Sequence, residues 1–220
     1  MALGILTNVA ATYAQNNLNQ TQGSLQKVLQ QLSSGSRINS GADDAAGLAL
    51  ADGLAANEAA LTQSAQNAQN GVGMLQTADG ALAQVTNLLT RAVTLATEAS
   101  NSTLNAAQLT AADTEFQSIV TEIGNIGTST NFNGNAVFSA TAANIVTTDG
   151  TTTGTTAFAP VVGVLTNASI GGTAVTLGSD VLTSNASAAT ALTDITAAIA
   201  AVAAQRGTLG ASINQLNAAS

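Results

Sequence analysis

The spacing of apolar residues between positions 54 and 96 constrains the fold of this chain more than any other feature. Leu54, Leu61, Ala68, Leu75, Leu82, Leu89 and Ala96 stand seven residues apart throughout, with Val72, Val85 and Val93 beside them. A seven-residue period keeps all of them on one stripe of an α-helix. The pattern predicts a single helix from about Ala42 to Ser100, about 88 Å long. A helix of that length cannot bury its stripe alone, so it needs partner helices.

The chain supplies candidates. Leu18, Leu25 and Leu32 also recur every seven residues, with Val28 and Leu29 widening the stripe and Ile5, Leu6 and Val9 extending it upstream. Residues 4–33 therefore read as an amphipathic helix that stops at Ser33-Ser34-Gly35. Leu109, Ala112, Phe116, Ile119, Ile123 and Ile126 alternate steps of three and four, as do Leu192, Ile195, Ile199, Val202, Arg206, Leu209, Ile213 and Leu216. The expected fold is mainly α: an elongated antiparallel helical bundle, or coiled-coil rod, with the long helix as its spine.

Between these helices the texture changes. Asn133-Gly134 sits between apolar residues, a hairpin signal. Residues 139–187 are rich in Thr, Gly, Val and Ala, hold the only proline (Pro160) and carry turn signals at Asp149-Gly150 and Gly171-Gly172. They read as a small β-rich insert.

Composition agrees with long helices and excludes several function classes. Aromatics are only 2% of the residues, so the core is built from Leu, Val, Ile and Ala. Charged residues are 7%, against about 25% in typical soluble domains, so the surface is Gln, Asn, Ser and Thr, as suits many copies packed together. Net charge is −8, and Lys27, Arg37, Arg91 and Arg206 are scattered, which argues against nucleic-acid binding. The absence of Cys and His removes disulfides, thiol and imidazole nucleophiles and most zinc sites. No cofactor and no catalytic residue is expected. No run approaches the roughly 18 apolar residues of a membrane span. The start "MALGILTNVAATYAQNN" lacks the basic and apolar regions of a cleaved secretory signal.

The stretch "LSSGSRINSGADDAAGLALA", residues 32–51, places Arg37, Asp43 and Asp44 beside small residues. Paired carboxylates can serve a metal or an acid–base site, but adjacent helical residues point about 100° apart and make a poor clamp. The structural alternative is a helix joint, in which Ser40 or Asp43 caps the long helix and the carboxylates favour its positive end. Gly71 and Gly73 in "GVGMLQ" lack the phosphate-loop pattern and read as close helix packing. Arg206, on a seam, reads as the partner of a carboxylate on the long helix.

That stretch, together with "NAQNGVGMLQTADGALAQVTNLLTRAVTLATEASN" and "TNFNG", resembles the N-terminal conserved region of bacterial flagellin; "QRGTLGASINQL" (205–216) resembles the start of its C-terminal conserved helix. The resemblance covers nearly all of residues 1–138 and 188–220. It implies a structural subunit of the flagellar filament, self-assembling for motility, exported without a cleaved signal peptide to the extracellular flagellum. The alternative it leaves is a hook–filament junction protein. It further implies residues 1–33 as the inner coiled-coil helix of the filament, with Leu18, Leu25 and Leu32 on the self-assembly seam. Residues 34–47 are then a spoke holding Arg37, Asp43 and Asp44. Residues 48–138 with 188–220 make the conserved helical rod, and 139–187 the variable outer insert.

Family members usually continue through a further terminal helix that pairs with the first; here the sequence stops at Ser220, inside the rod helix. The partners implied are other flagellin subunits, an export chaperone, and cap and junction proteins, with neither nucleic acid nor membrane. The resemblance also implies contact with the Toll-like receptor that senses flagellin, through Arg91, Leu95 and, from the neighbouring helix, Glu115. Two charged positions usual in that motif are here Val93 and Thr94. The competing reading has Arg91 bridging a carboxylate of the rod and Leu95 in the core.

Overall fold

A computed structural model describes residues 8–150, 156–158, 162–170, 172–175 and 177–219, with the backbone alone described for 156–158. The expectations placed on Ile5, Leu6, Pro160 and Gly171 lie outside these residues. Four helices dominate: α1 (Val9–Ser34), α2 (Ala45–Ala99), α3 (Ala106–Ser129) and α4 (Asn185–Ala219). Among the described residues, seven short strands lie between α3 and α4: β1 (Asn131–Phe132), β2 (Asn135–Ala136), β3 (Ile145–Thr147), β4 (Thr156–Phe158), β5 (Leu165–Thr166), β6 (Ser169–Ile170) and β7 (Thr173–Ala174). The mainly α class with a small β-rich insert is what the sequence predicts. The chain separates into two compact units, residues 1–58 and 59–220.

In the first unit, Asn8 caps α1 by accepting hydrogen bonds from Ala10 and Ala11 N–H groups at 3.1 and 3.3 Å. Gly35 ends the helix in the left-handed conformation, φ 70°, where a residue without Cβ is unstrained. No residue of α1 is buried. α2 begins three residues later than expected, because 41–43 form a turn instead of a helical start.

In the second unit the seven-residue rows become a packed core. Ala68, Leu75, Leu82, Leu89 and Ala96 are buried, and so is a parallel row of Ser64, Gly71, Ala78, Val85, Ala92 and Ala99. The two rows alternate by four and three, the a/d pattern of helix-to-helix packing. The small row admits the side chains of neighbours. A Cβ at Gly71 would collide with Ile145 Cδ1 and lie 3.1 Å from Leu216 Cδ1, while one at Gly73 would lie 3.3 Å from the Phe132 ring. The close helix packing expected of Gly71 is met by Leu216 of α4, whereas Gly73 faces Phe132 of β1 instead of a helix. Leu54 and Leu61 depart from the expected stripe: they are exposed, since nothing described covers α2 there.

α4 contributes Ala188, Ile195, Val202, Leu209 and Leu216, again every seven residues and all buried. It runs antiparallel to α2. The Asn185 side chain donates to the Ala99 and Asn101 carbonyls at 3.0 and 2.8 Å, and Arg206 meets Asp79 farther along. α4 is long and apolar enough by length and composition to cross a bilayer, which corrects the expectation that no run approaches a membrane span. Its apolar character is largely alanine, and its buried row packs within the bundle. α3 starts with a capping box between Asn105 and Gln108, and buries Leu109, Phe116, Ile119, Val120, Ile123 and Ile126.

The strands are satellites of this bundle. β1 and β2 form the expected hairpin, with Asn133 at φ 51° and Gly134 at φ 80°, the two left-handed residues of a tight turn matched to strand twist. β3 pairs antiparallel with β4, and β5, β6 and β7 form an antiparallel meander. Ser64 ties β3 to α2, donating to the Thr148 carbonyl and accepting its N–H, both at 2.7 Å. β5 crosses α3 at Gly127, where any Cβ would collide with the Leu165 carbonyl oxygen.

Candidate functional site

The residues between α1 and α2 form a hydrogen-bonded elbow. Gln31 Nε2 donates to the Arg37 carbonyl at 2.7 Å, and Ser36 Oγ donates to the Ile38 carbonyl at 3.1 Å. Asp43 holds the centre. Its Oδ2 accepts the Asn39 and Ser40 N–H groups at 3.2 and 3.1 Å and the Ser40 hydroxyl, while Oδ1 lies 2.6 Å from Lys27 Nζ on α1. The Lys27 hydrogen bond, followed by that of the Asn39 amide, pulls the Asp43 pKa down to about 2.

Asp44 caps α2. Its Oδ1 accepts the Gly47 N–H at 2.9 Å and its carbonyl accepts the Leu48 N–H at 2.9 Å. This corrects the expectation that Ser40 or Asp43 caps the long helix; those two fasten the turn instead. Gly47 is fitted to the cap, since a Cβ there would lie 2.8 Å from Ile38 Cδ1. The two neighbouring carboxylates thus have separate tasks, and no group of three or more metal-ligating side chains occurs among the described residues. Arg37 is exposed, and among the described residues its guanidinium enters no ion pair.

The apolar row of α1 is open to solvent. Leu18, Leu25 and Leu32 are 58%, 57% and 79% exposed, and Val9, Tyr13, Val28 and Leu29 are exposed with them. Contiguous apolar surface of this kind marks an interaction face.

The second unit places Arg91 and Glu115 together. Arg91 Nε and Nη2 donate to the two Glu115 oxygens at 2.7 and 3.0 Å, a forked pair joining α2 to α3. That pairing raises the Arg91 pKa and lowers that of Glu115. Leu95 is only 3% exposed. The expectation that Leu95 joins Arg91 in an outward receptor contact is corrected: its side chain enters the core, on the row of the half-buried Leu88 and the buried Ala81, seven and fourteen residues earlier. Arg206 meets Asp79 through a second forked pair, at 2.7 and 3.2 Å, as its seam position implied.

Periodicity did not reveal the Lys27–Asp43 tie, although a lone lysine 16 residues before a lone Asp pair was its signal. The companion row of α2 is hidden in the sequence because its Ser, Gly and Ala residues are as common on the exposed faces of that helix as on the buried one.

Comparison with known proteins agrees with this architecture. Residues 5–143 match the model of the bacterial flagellin N-terminal helical region. Flagellin 1 of Proteus mirabilis is 40% identical over 151 residues, which cover 69% of this chain and 41% of the relative. Phase 1 flagellin of Salmonella naestved is 42% identical over 139 residues, 63% of this chain and 28% of the relative. The chain thus spans less than half the length of these relatives. The crystal structure of Bacillus cereus flagellin superposes with a TM-score of 0.55 at 29% identity, covering 70% of this chain and 85% of that one. With the seven-residue rows of α1 and α2, the elbow and the Asn-Gly hairpin all inside the matched segment, the chain belongs to the bacterial flagellin family.

Proposed function

We propose that this chain is a structural, non-catalytic subunit of the bacterial flagellar filament, exported to the cell exterior and assembling with copies of itself. The observation that carries the reading is the exposed row Leu18, Leu25 and Leu32 on a 26-residue helix that buries nothing. Such a row is a coiled-coil seam whose partner is another helix. The relatives bear the name flagellin, which favours the filament subunit over a junction protein. On this reading α1 lines the inner filament, the elbow is a spoke, the three-helix bundle is the rod and the strands face outward. Export chaperone, cap and junction proteins are its partners in the cell. An innate receptor meets the rod at Arg91 and Glu115, whose side chains are 56% and 45% exposed, without direct help from Leu95.

The test is to replace Leu18, Leu25 and Leu32 by Asp in the gene that encodes this chain. Filaments seen by electron microscopy and swimming should both be lost, with the circular dichroism of the purified chain essentially unchanged. Normal filaments in the variant would overturn the reading.

A further inference from the structure

Where the polypeptide leaves its last strands and re-enters the bundle, three carboxylates converge. Asp180 follows a one-turn 3-10 helix, Leu177–Ser179, that packs between α3 and α4. Its side chain is only 8% exposed, and its Oδ2 is buried with no hydrogen-bond partner. Asp194, from α4, hydrogen-bonds the Asp180 carboxyl and adds its negative charge. Asp113, from α3, accepts the Leu182 N–H at 2.7 Å. Gln117 Nε2, also from α3, donates to the Asp180 carbonyl at 2.7 Å. Among the described residues, Lys27, Arg91 and Arg206 pair with Asp43, Glu115 and Asp79.

Two carboxyls in contact, one of them buried, cannot both be ionised cheaply; a shared proton turns repulsion into a hydrogen bond. An orphaned buried oxygen is costly as a carboxylate, and far less so once the group is neutral. A metal ion could serve the same end, but no group of three metal-ligating side chains is arranged for one among the described residues. The proton is the ligand the geometry accepts.

We infer that Asp180 and Asp194 form a proton-operated latch that closes the re-entry loop onto α3 and α4 when they share a proton and loosens it when both are ionised. Burial first, and then Asp194, raise the Asp180 pKa from 3.8 to about 6. The sign follows. A folded-state pKa above the unfolded value gives a contribution fully present below about pH 4 and lost as pH rises through about 6. Over that window the unfolding equilibrium shifts by at most about a hundredfold from this group. The latch stands independently of the filament reading, because all of its groups lie in one chain.

The experiment follows thermal unfolding of dilute chain by circular dichroism from pH 4.5 to 8, for the wild type, Asp180→Asn and Asp194→Asn. Asparagine keeps the shape and removes the titration. Each variant should gain melting temperature over the wild type at pH 8, by several degrees. The gain should hold down to about pH 6 and then shrink as pH falls toward 4, passing half its full size near pH 5. Asp113→Asn should lower stability at every pH without moving that midpoint. If a variant fails to fold, amide exchange at Leu182 in the wild type replaces it. Protection, corrected for the intrinsic rate, should fall as pH rises from about 4 to about 6 and then level off. A variant-minus-wild-type difference that is flat between pH 5 and 8, or Leu182 protection that ignores pH, would overturn the latch.

Discussion

α1 and the second half of α2 carry the same sequence signal and use it differently. Leu18, Leu25 and Leu32 are spaced like Leu75, Leu82 and Leu89, yet the first three are open to solvent and the second three are no more than 1% exposed. A seven-residue row states that a helix needs a neighbour; it does not state whether that neighbour lies in the same chain. The companion row decides. Beside Leu75, Leu82 and Leu89 run Gly71, Ala78 and Val85, small enough for α4 and the strands to approach. Within its own unit, α1 has no helix laid along its row, and none of its residues is buried.

The largest expected effect separates the two rows by their contribution to the monomer. Phe116, fully buried on α3, should cost about 3–5 kcal/mol on replacement by Ala, measured by urea unfolding. Leu25→Ala should cost under about 0.5 kcal/mol in the same assay. A large loss from Leu25→Ala would show that α1 is packed within the monomer and would break the comparison.

Glycines sharpen it at intermediate scale. Gly127→Ala drives a methyl into the Leu165 carbonyl, which is backbone and cannot swing away, and should destabilise by about 1–3 kcal/mol. Gly53→Ala meets nothing within 4 Å and should stabilise α2 by up to about 1 kcal/mol through helix propensity. Equal effects at the two sites would mean that β5 does not seat on α3.

The smallest effect concerns pH. Asp43 is ionised down to about pH 2 in the folded elbow, against 3.8 for the unpaired group. A lowered pKa gives a contribution present above about pH 4 and lost as pH falls through 2, the reverse of Asp180. Proteolysis within residues 35–44 should accelerate in acid, and the Asp43 carboxyl followed by NMR should titrate near 2. A midpoint near 4 would remove the Lys27 tie from the account.

Much of this architecture is legible in the sequence because large apolar residues at regular spacing report directly on buried faces. Phe116, Ile119 and Ile123 on α3 and Ile195, Val202 and Leu209 on α4 are buried as their spacing requires. Asn133-Gly134 makes its turn for a local steric reason. What the pattern hides depends on partners distant in the chain. Ala81 and Leu95 lie on a third face of α2, buried because a bundle of several helices covers more of the spine than one stripe. The assignment of the cap to Asp44 over Asp43 turns on one residue of turn geometry, which propensity does not resolve. The candidate surface is legible only as a stripe; its exposure is a statement about what else is near.

The three ion pairs found among the described residues have an electrostatic consequence. Lys27, Arg91 and Arg206 are each neutralised by a carboxylate of their own chain, leaving Arg37 outside them in a molecule of net charge −8. Two copies that approach therefore meet as anions. That repulsion reaches about 30 Å at 0.01 M salt but only about 8 Å at 0.15 M, whereas the attraction between apolar rows is hardly screened at all. Ionic strength thus becomes the control on association: salt, which loosens charge-steered complexes, draws these chains together.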